Sequence, residues 1–150
     1  MNDQSVFHLI SDITDKKRIS CVLIGGFAVN HYRVTRQTAD IDFLITKKDF
    51  EKIDGLLEKA GYRPISSQEN FIQFKSTSIS PLDVDFMIVD QDVINKITNE
   101  GRELTIAGHR FIVPSLNHLI ALKLHSMEPH PGCFALRSKA AGVVPSFTPC

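Results

Sequence analysis

The chain has 150 residues, of which 43% are hydrophobic and 23% are charged. This balance is typical of one globular domain and excludes a disordered, low-complexity chain. Lysine and arginine together number 17, as do aspartate and glutamate, so the formal net charge is zero. A neutral chain has no global field that draws it to nucleic acid or to an anionic membrane, so any phosphate chemistry must be local.

Cysteine usage and the absence of an apolar leader predict a cytoplasmic protein. The cysteines are Cys21, Cys133 and Cys150, an odd number without CxxC spacing, which argues against a disulfide framework and a zinc site. No basic leader precedes an apolar segment at the start, and no apolar run approaches the roughly 20 residues of a membrane helix. We therefore expect no membrane partner.

The first elements are predicted to be a helix, a strand, a glycine turn and a second helix. Apolar residues recur at helical spacing from Val6 to Ile13, which predicts an amphipathic helix. Residues 21–24 form a short apolar, β-branched run that ends in the pair Gly25-Gly26. Residues 27–32 can then form the second helix.

The next strand carries two carboxylates. Residues 40–45 alternate between polar and apolar positions, which places Asp40 and Asp42 on one face of a strand. A helix is predicted to follow, with Asp49 as its N-cap and Gly61 as its left-handed C-terminal residue.

The second half of the main segment mixes strands and helices, and its two central strands are expected to pair antiparallel. These elements are strands over 71–75 and 82–89, a short helix over 93–97 closing near 101, a hairpin of 103–106 and 109–113, and a helix over 116–127. The predicted fold class is therefore α+β: a mixed sheet flanked by helices, with an additional hairpin and a C-terminal helix.

The C-terminal segment differs in kind from the rest. Residues 129–150 contain four of the seven prolines and no acidic residue, and they show no sustained periodicity. We predict one domain over 1–128 and an irregular or disordered tail over 129–150. Two interpretations stay open: a mobile tail, or C-terminal helices that are missing or replaced, since the apolar helix 116–127 calls for a partner.

Glycines and carboxylates together predict phosphate and metal chemistry. Gly25 and Gly26 allow close approach of the backbone to a phosphate at a helix start. Asp40 and Asp42 can bind a hard divalent cation from one sheet face. Either pair alone has an ordinary structural explanation, as a turn or a solvated acid pair, but the combination favours a site.

A third carboxylate is expected from the strand over 82–89. Asp83 and Asp85 lie on the same face of that strand. We favour Asp85 because it lies deeper in the apolar run, where an unpaired charge is costly and calls for a metal or a cation. Asp83 remains the alternative.

These motifs resemble those of a known enzyme superfamily. The segment 23–29 with its GG pair, the RxTxDxD pattern over 36–42 and the later VDFM strand resemble the nucleotidyltransferase superfamily typified by DNA polymerase β. Within it, the chain is similar to small nucleotidyltransferases grouped with abortive-infection type IV toxins. The resemblance covers about residues 20–127.

The resemblance implies an enzyme that transfers a nucleoside monophosphate from a nucleoside triphosphate to an acceptor hydroxyl, with two Mg²⁺ ions. It implies that Asp40 and Asp42 bind metal and that Asp85 binds the catalytic metal and deprotonates the acceptor. Gly25 and Gly26 would hold the β- and γ-phosphates.

Three further residues are expected on the nucleotide. Arg36 and Thr38 precede the carboxylates and fit a loop that faces a triphosphate. Lys123 places an ammonium in the apolar stripe of the last helix, where related enzymes carry a lysine thought to contact nucleotide phosphates. Arg36 as a surface cation and Lys123 as a snorkelling side chain are the alternatives.

The resemblance leaves the acceptor open. A toxin-like enzyme would modify tRNA or a protein and would have an antitoxin partner, whereas an antibiotic-modifying enzyme would use a small molecule. A catalytically inactive nucleotide- or partner-binding module is the third possibility. The relatives' RxxKDxxD pattern after the lysine helix does not occur here, and an uncovered last helix could form a homodimer.

Overall fold

A computed structural model describes residues 6–32, 40–77, 82–126, 135–138 and 145–148. None of the helices in these ranges is long and apolar enough to cross a membrane. The helices are α1 (Val6–Lys17), α2 (Gly25–His31), α3 (Lys47–Lys59), α4 (Gln91–Glu100) and α5 (Leu116–Ser126).

The strands form one large sheet and one separate pair. They are β1 (Val22–Ile24), β2 (Asp40–Ile45), β3 (Tyr62–Gln68), β4 (Phe71–Ser76), β5 (Asp83–Ile88), β6 (Arg102–Ile106), β7 (His109–Val113), β8 (Ala135–Ser138) and β9 (Pro145–Thr148). The large sheet has seven strands in the order β3-β4-β5-β2-β1-β7-β6. Strand β2 pairs parallel with β5, and β1 pairs parallel with β7, while the other pairs are antiparallel. The predicted α+β fold with a mixed sheet is confirmed.

One face of the central strands forms an aromatic core. Phe43 of β2 and Phe86 of β5 are fully buried and stack with ring centroids 5.9 Å apart. Phe50 of α3 meets Phe86 edge-on at 5.5 Å, and Phe74 of β4 does so at 6.0 Å. Burial of each such side chain stabilises the fold by about 1.5–3 kcal/mol. The alternation of side chains leaves the opposite face of β2 and β5 for polar residues.

The start of α3 differs from the prediction. Asp49 is not its N-cap, because the helix begins two residues earlier, at Lys47. The cap is the buried Thr46, whose hydroxyl accepts a hydrogen bond of 3.2 Å from the Asp49 backbone N–H. Asp49 lies in the first turn instead, where its carboxylate pairs with Lys52 at 2.9 Å. Gly61 has φ of +95° after the helix, as the prediction of a left-handed residue requires.

Strand β3 was not predicted. It contains Pro64, which argues against a strand, and most of its side chains are exposed, so it lacks the alternation of a half-buried strand. The structure accommodates Pro64 because β3 lies at the edge of the sheet, where one side of the backbone needs no partner.

The prediction of no regular element after residue 129 is wrong for eight residues. Strands β8 and β9 pair antiparallel, with Ala135 opposite Thr148. Four-residue strands are too short to show a periodicity, and Pro145 stands at the first position of β9, where proline is tolerated. Strand β9 lies against α5. The domain boundary at residue 128 stays a prediction.

We expect Thr46→Ala to destabilise the protein by about 1 kcal/mol, because the α3 N-terminus loses its side-chain acceptor. Thr46→Ser is the matched control, since it keeps the hydroxyl and should retain most of the stability. Urea unfolding of the three proteins measures the difference. Equal midpoints for the wild type and Thr46→Ala would show that the cap contributes nothing.

Candidate active site

The parallel pairing of β2 with β5 sets the predicted carboxylates side by side. Asp40 lies opposite Asp83, and Asp42 lies opposite Asp85. Because the strands are parallel and in register, all four side chains share one sheet face. Exposure falls along the strands: Asp40 is exposed, Asp42 is half-buried and Asp85 is only 7% exposed.

The Asp85 carboxyl is strongly perturbed. Burial raises its pKa to about 7, and repulsion from the Asp42 and Asp40 carboxylates adds to the increase. A hydrogen bond with the Asp42 side chain also raises the pKa, since it favours the protonated form, and a hydrogen bond from Gln73 opposes the shift. Asp85 is therefore poised to hold or release a proton near neutral pH.

Asp83 has a different environment from Asp85. Its Oδ1 accepts a hydrogen bond of 3.1 Å from the Ser76 backbone N–H, which joins the start of β5 to the end of β4. Its Cα partner is the exposed Asp40. Of the two alternatives from the sequence, Asp85 is the one that lies beside Asp42.

Gly25 closes the site from the side of β1. It has φ of +70°, a conformation that L side chains rarely adopt, and it begins α2. A Cβ atom added at Gly25 would overlap the Asp42 carboxylate and would lie 2.8 Å from Asp42 Cγ. The glycine backbone therefore approaches the carboxylate more closely than any other residue would allow. Gly26 follows as the second residue of α2.

The other three expected nucleotide contacts, Lys123, Arg36 and Thr38, stay predictions. Lys123 lies on α5 and is exposed, and α5 packs against α2. Arg36 and Thr38 lie outside the described residues.

Gln73 is a member of the site that the sequence analysis missed. It lies on β4 directly opposite Asp85, and its side chain hydrogen-bonds that carboxyl group. The available signal was a lone amide inside the apolar run Phe71-Ile72-Gln73-Phe74, at a position that alternation places on the polar face.

The donors fit a hard divalent cation that also binds a substrate. Within the described ranges, no three histidine, cysteine or acidic side chains are grouped closely enough to hold a metal by themselves. Asp42 and Asp85 supply paired carboxylates, and Mg²⁺ is commonly held by one or two carboxylates together with substrate phosphates. Burial and repulsion from Asp42 raise the pKa of Asp85. A bound cation would neutralise the negative charge that causes this repulsion.

Comparisons with known proteins agree with this arrangement. A family model described as an uncharacterised nucleotidyltransferase matches residues 12–128, which include every carboxylate of the cluster. Comparison with curated proteins gave no match.

Several solved structures share the fold. ANT(2")-Ia in complex with adenylyl-2"-tobramycin superposes with a TM-score of 0.62 and 19% identity, over 84% of this chain and 76% of that chain. A putative nucleotidyltransferase from Thermotoga maritima gives 0.60 and 17%, over 81% and 82%. The lincomycin-bound lincosamide antibiotic adenylyltransferase LnuA gives 0.58 and 15%, over 86% and 87%.

At these identities the solved structures establish the fold, while the family model, which covers most of the chain, establishes the family. The fold, the paired carboxylates and the matched segment lead to one conclusion. The chain belongs to the family of uncharacterised nucleotidyltransferases.

Proposed function

We propose that this enzyme transfers a nucleoside monophosphate from a nucleoside triphosphate to an acceptor hydroxyl in a Mg²⁺-dependent reaction. The observation that carries the proposal is the position of Asp42, which lies beside Asp85 on one sheet face and so close to Gly25 that a Cβ atom there would overlap its carboxylate. A bound pair of Mg²⁺ ions would neutralise phosphate charge and increase the acidity of the acceptor hydroxyl.

The reaction requires a base and an oriented nucleophile. The acceptor oxygen forms a bond to the α-phosphorus, the bond from that phosphorus to the bridging oxygen breaks, and pyrophosphate leaves. We assign the proton of the acceptor hydroxyl to the Asp85 carboxylate, which is buried beside Asp42 at the centre of the site and which bound cations would keep ionised. Gln73 positions Asp85, and Asp42 and Asp40 supply negative charge for the cations.

The triphosphate is assigned to the side of the site formed by α2. Gly25 and Gly26 present backbone N–H groups there without a side chain, so the β- and γ-phosphates can approach closely. Lys123, Arg36 and Thr38 are assigned to the same phosphates on the family resemblance.

For the acceptor, we propose a hydroxyl of tRNA or of a protein, in keeping with the resemblance to toxin-like enzymes, which would act in the cytoplasm with an antitoxin. A small antibiotic is the second candidate, because ANT(2")-Ia holds an adenylylated tobramycin and LnuA holds lincomycin in similar folds. A screen of tRNA, protein and aminoglycoside or lincosamide acceptors for pyrophosphate release separates these candidates.

Asp42→Asn and Asp85→Asn should each reduce turnover by at least about a hundredfold, because each removes a charge at the centre of the site. Asp83→Asn is the matched control on the same strand, since its amide oxygen can still accept from Ser76 and turnover should change little. Calorimetric titration of each nucleoside triphosphate, with and without Mg²⁺, and pyrophosphate release measure these effects.

Two outcomes would overturn this assignment. A folded wild type that binds no nucleoside triphosphate in the presence of Mg²⁺ would contradict the proposed function. Loss of turnover in Asp83→Asn with full turnover in Asp85→Asn would transfer the catalytic role to Asp83.

Gly25→Ala should abolish nucleotide transfer, because its methyl group would displace the Asp42 carboxylate. Gly108→Ala is the control: Gly108 also has a positive φ, +81°, but nothing lies within 4 Å of an added Cβ. Both variants should lose about 1 kcal/mol of stability from backbone strain, and only Gly25→Ala should lose activity. Equal activity of the two variants would show that the contact with Asp42 is not needed.

Asp85 should make the stability of the metal-free enzyme fall as the pH rises from about 4 to about 7. The ordinary pKa of 3.8 describes the unfolded chain, whereas the folded pKa is about 7. Between these values the folded state holds a proton that the unfolded state has lost, so unfolding releases a proton and higher pH favours it. Below and above this window the two states carry equal charge at Asp85, and its contribution to the slope vanishes.

Asp85→Asn tests this pH dependence, because an amide does not ionise. The variant should melt at a higher temperature than the wild type at about pH 8 in the presence of a chelator, and the two should converge towards pH 4. Addition of Mg²⁺ at the higher pH should raise the melting temperature of the wild type and leave the variant nearly unchanged. If the melting temperatures of the two proteins changed with pH in parallel, Asp85 would be excluded as the source of the pH dependence.

A further inference from the structure

Outside the candidate active site, two histidines from distant parts of the chain share a contact. His8 lies in α1 and His109 begins β7, and His8 Nδ1 is 3.1 Å from His109 Nε2. The ring centroids are 4.9 Å apart and the rings are inclined by 64°. One of the two nitrogens must donate and the other accept, so a ring nitrogen of each side chain faces that of the other.

Buried aromatic residues fix this contact in place. Phe7, next to His8, packs against Phe111, two residues beyond His109, with ring centroids 5.9 Å apart. Both phenyl rings are buried, and α1 packs on β7 at this point. The backbone of each histidine is therefore anchored, which preorganises the two half-buried imidazoles.

We propose that His8 and His109 form a binding site for a divalent transition-metal ion such as Zn²⁺. Zinc–nitrogen bonds of about 2.0–2.1 Å in a tetrahedral arrangement place two ligand nitrogens about 3.3–3.4 Å apart. The observed 3.1 Å is therefore within about 0.2–0.3 Å of that geometry, and a rotation of the two rings would turn both lone pairs from the N···N line towards the ion.

Metal binding at this pair requires both histidines in the neutral form. The proton of the donating ring moves to its other nitrogen, and each neutral imidazole then directs a lone pair at the ion. The described residues add no third histidine, cysteine or acidic ligand to the pair, so water completes the coordination.

This site differs in chemistry from the carboxylate cluster. Imidazole nitrogen suits zinc, copper and nickel, whereas carboxylate oxygen suits magnesium. The bound ion would link α1 to β7 and so stabilise the packing of the first helix on the sheet.

The test uses metal-stripped wild-type protein in excess Mg²⁺, which occupies carboxylate sites during the titration. Calorimetry with Zn²⁺ should detect one site, and pulsed electron paramagnetic resonance with substoichiometric Cu²⁺ should count two coordinated imidazoles. His8→Gln and His109→Gln should each weaken Zn²⁺ binding at least tenfold and leave at most one imidazole on Cu²⁺. His31→Gln, a half-buried histidine of α2, is the control and should behave as the wild type.

The wild-type resonance spectrum decides the proposal even where a variant fails to fold, as judged by circular dichroism. Two imidazoles on Cu²⁺, lost in the His8 or His109 variants and kept in His31→Gln, support the site. No bound imidazole or a single one in the wild type would overturn it, and so would an equal loss of binding in His31→Gln.

Discussion

The parallel pairing of β2 with β5 is the constraint on which the rest of the site depends. It places Asp42 directly beside Asp85 on one face of the sheet, and Asp85 is nearly buried. Two carboxylates this close cannot both be ionised without a large electrostatic cost, because water is excluded from one of them. In the folded chain, a proton shared by the two carboxyl groups lowers this cost. In the proposed reaction, cations that bind with the nucleotide would lower it instead.

The alternation of side chains that brings the carboxylates together also buries the aromatic residues whose packing offsets the electrostatic cost. Each carboxylate on β2 and β5 is followed by a side chain on the opposite face, where Phe43 and Phe86 stack in the core. A shift of either strand by one residue would bury the acids in the aromatic core and expose the phenyl rings. The register that preserves the core is therefore the register that assembles the site, and neither can be changed alone.

The sequence predicted those features that depend on local pattern. Alternation assigned Asp40 and Asp42 to one face. The predicted hairpin of 103–106 and 109–113 was confirmed, and the two residues between its strands, Ala107 and Gly108, both have positive φ. The apolar run favoured Asp85 over Asp83, but the register that places Asp85 opposite Asp42 cannot be obtained from the pattern of one strand. Gln73 was missed for the same reason, since its importance comes from a neighbouring strand. The edge strand β3 has too few buried side chains to produce a periodic signal, and the four-residue strands β8 and β9 are too short to show one.

The raised pKa of Asp85 links the folding of this enzyme to its proposed chemistry. Near neutral pH a proton on Asp85 lets the site exist without a bound cation, because it removes one of the adjacent negative charges. A cation that occupies the site must displace this proton, so its binding becomes more favourable as the pH rises towards and beyond 7. The carboxylate freed in this way is also the group to which we assign the proton of the acceptor hydroxyl. In the proposed reaction, cation binding and formation of the base would therefore depend on the same ionisation of Asp85, which the hydrogen bond from Gln73 favours by stabilising the charged form.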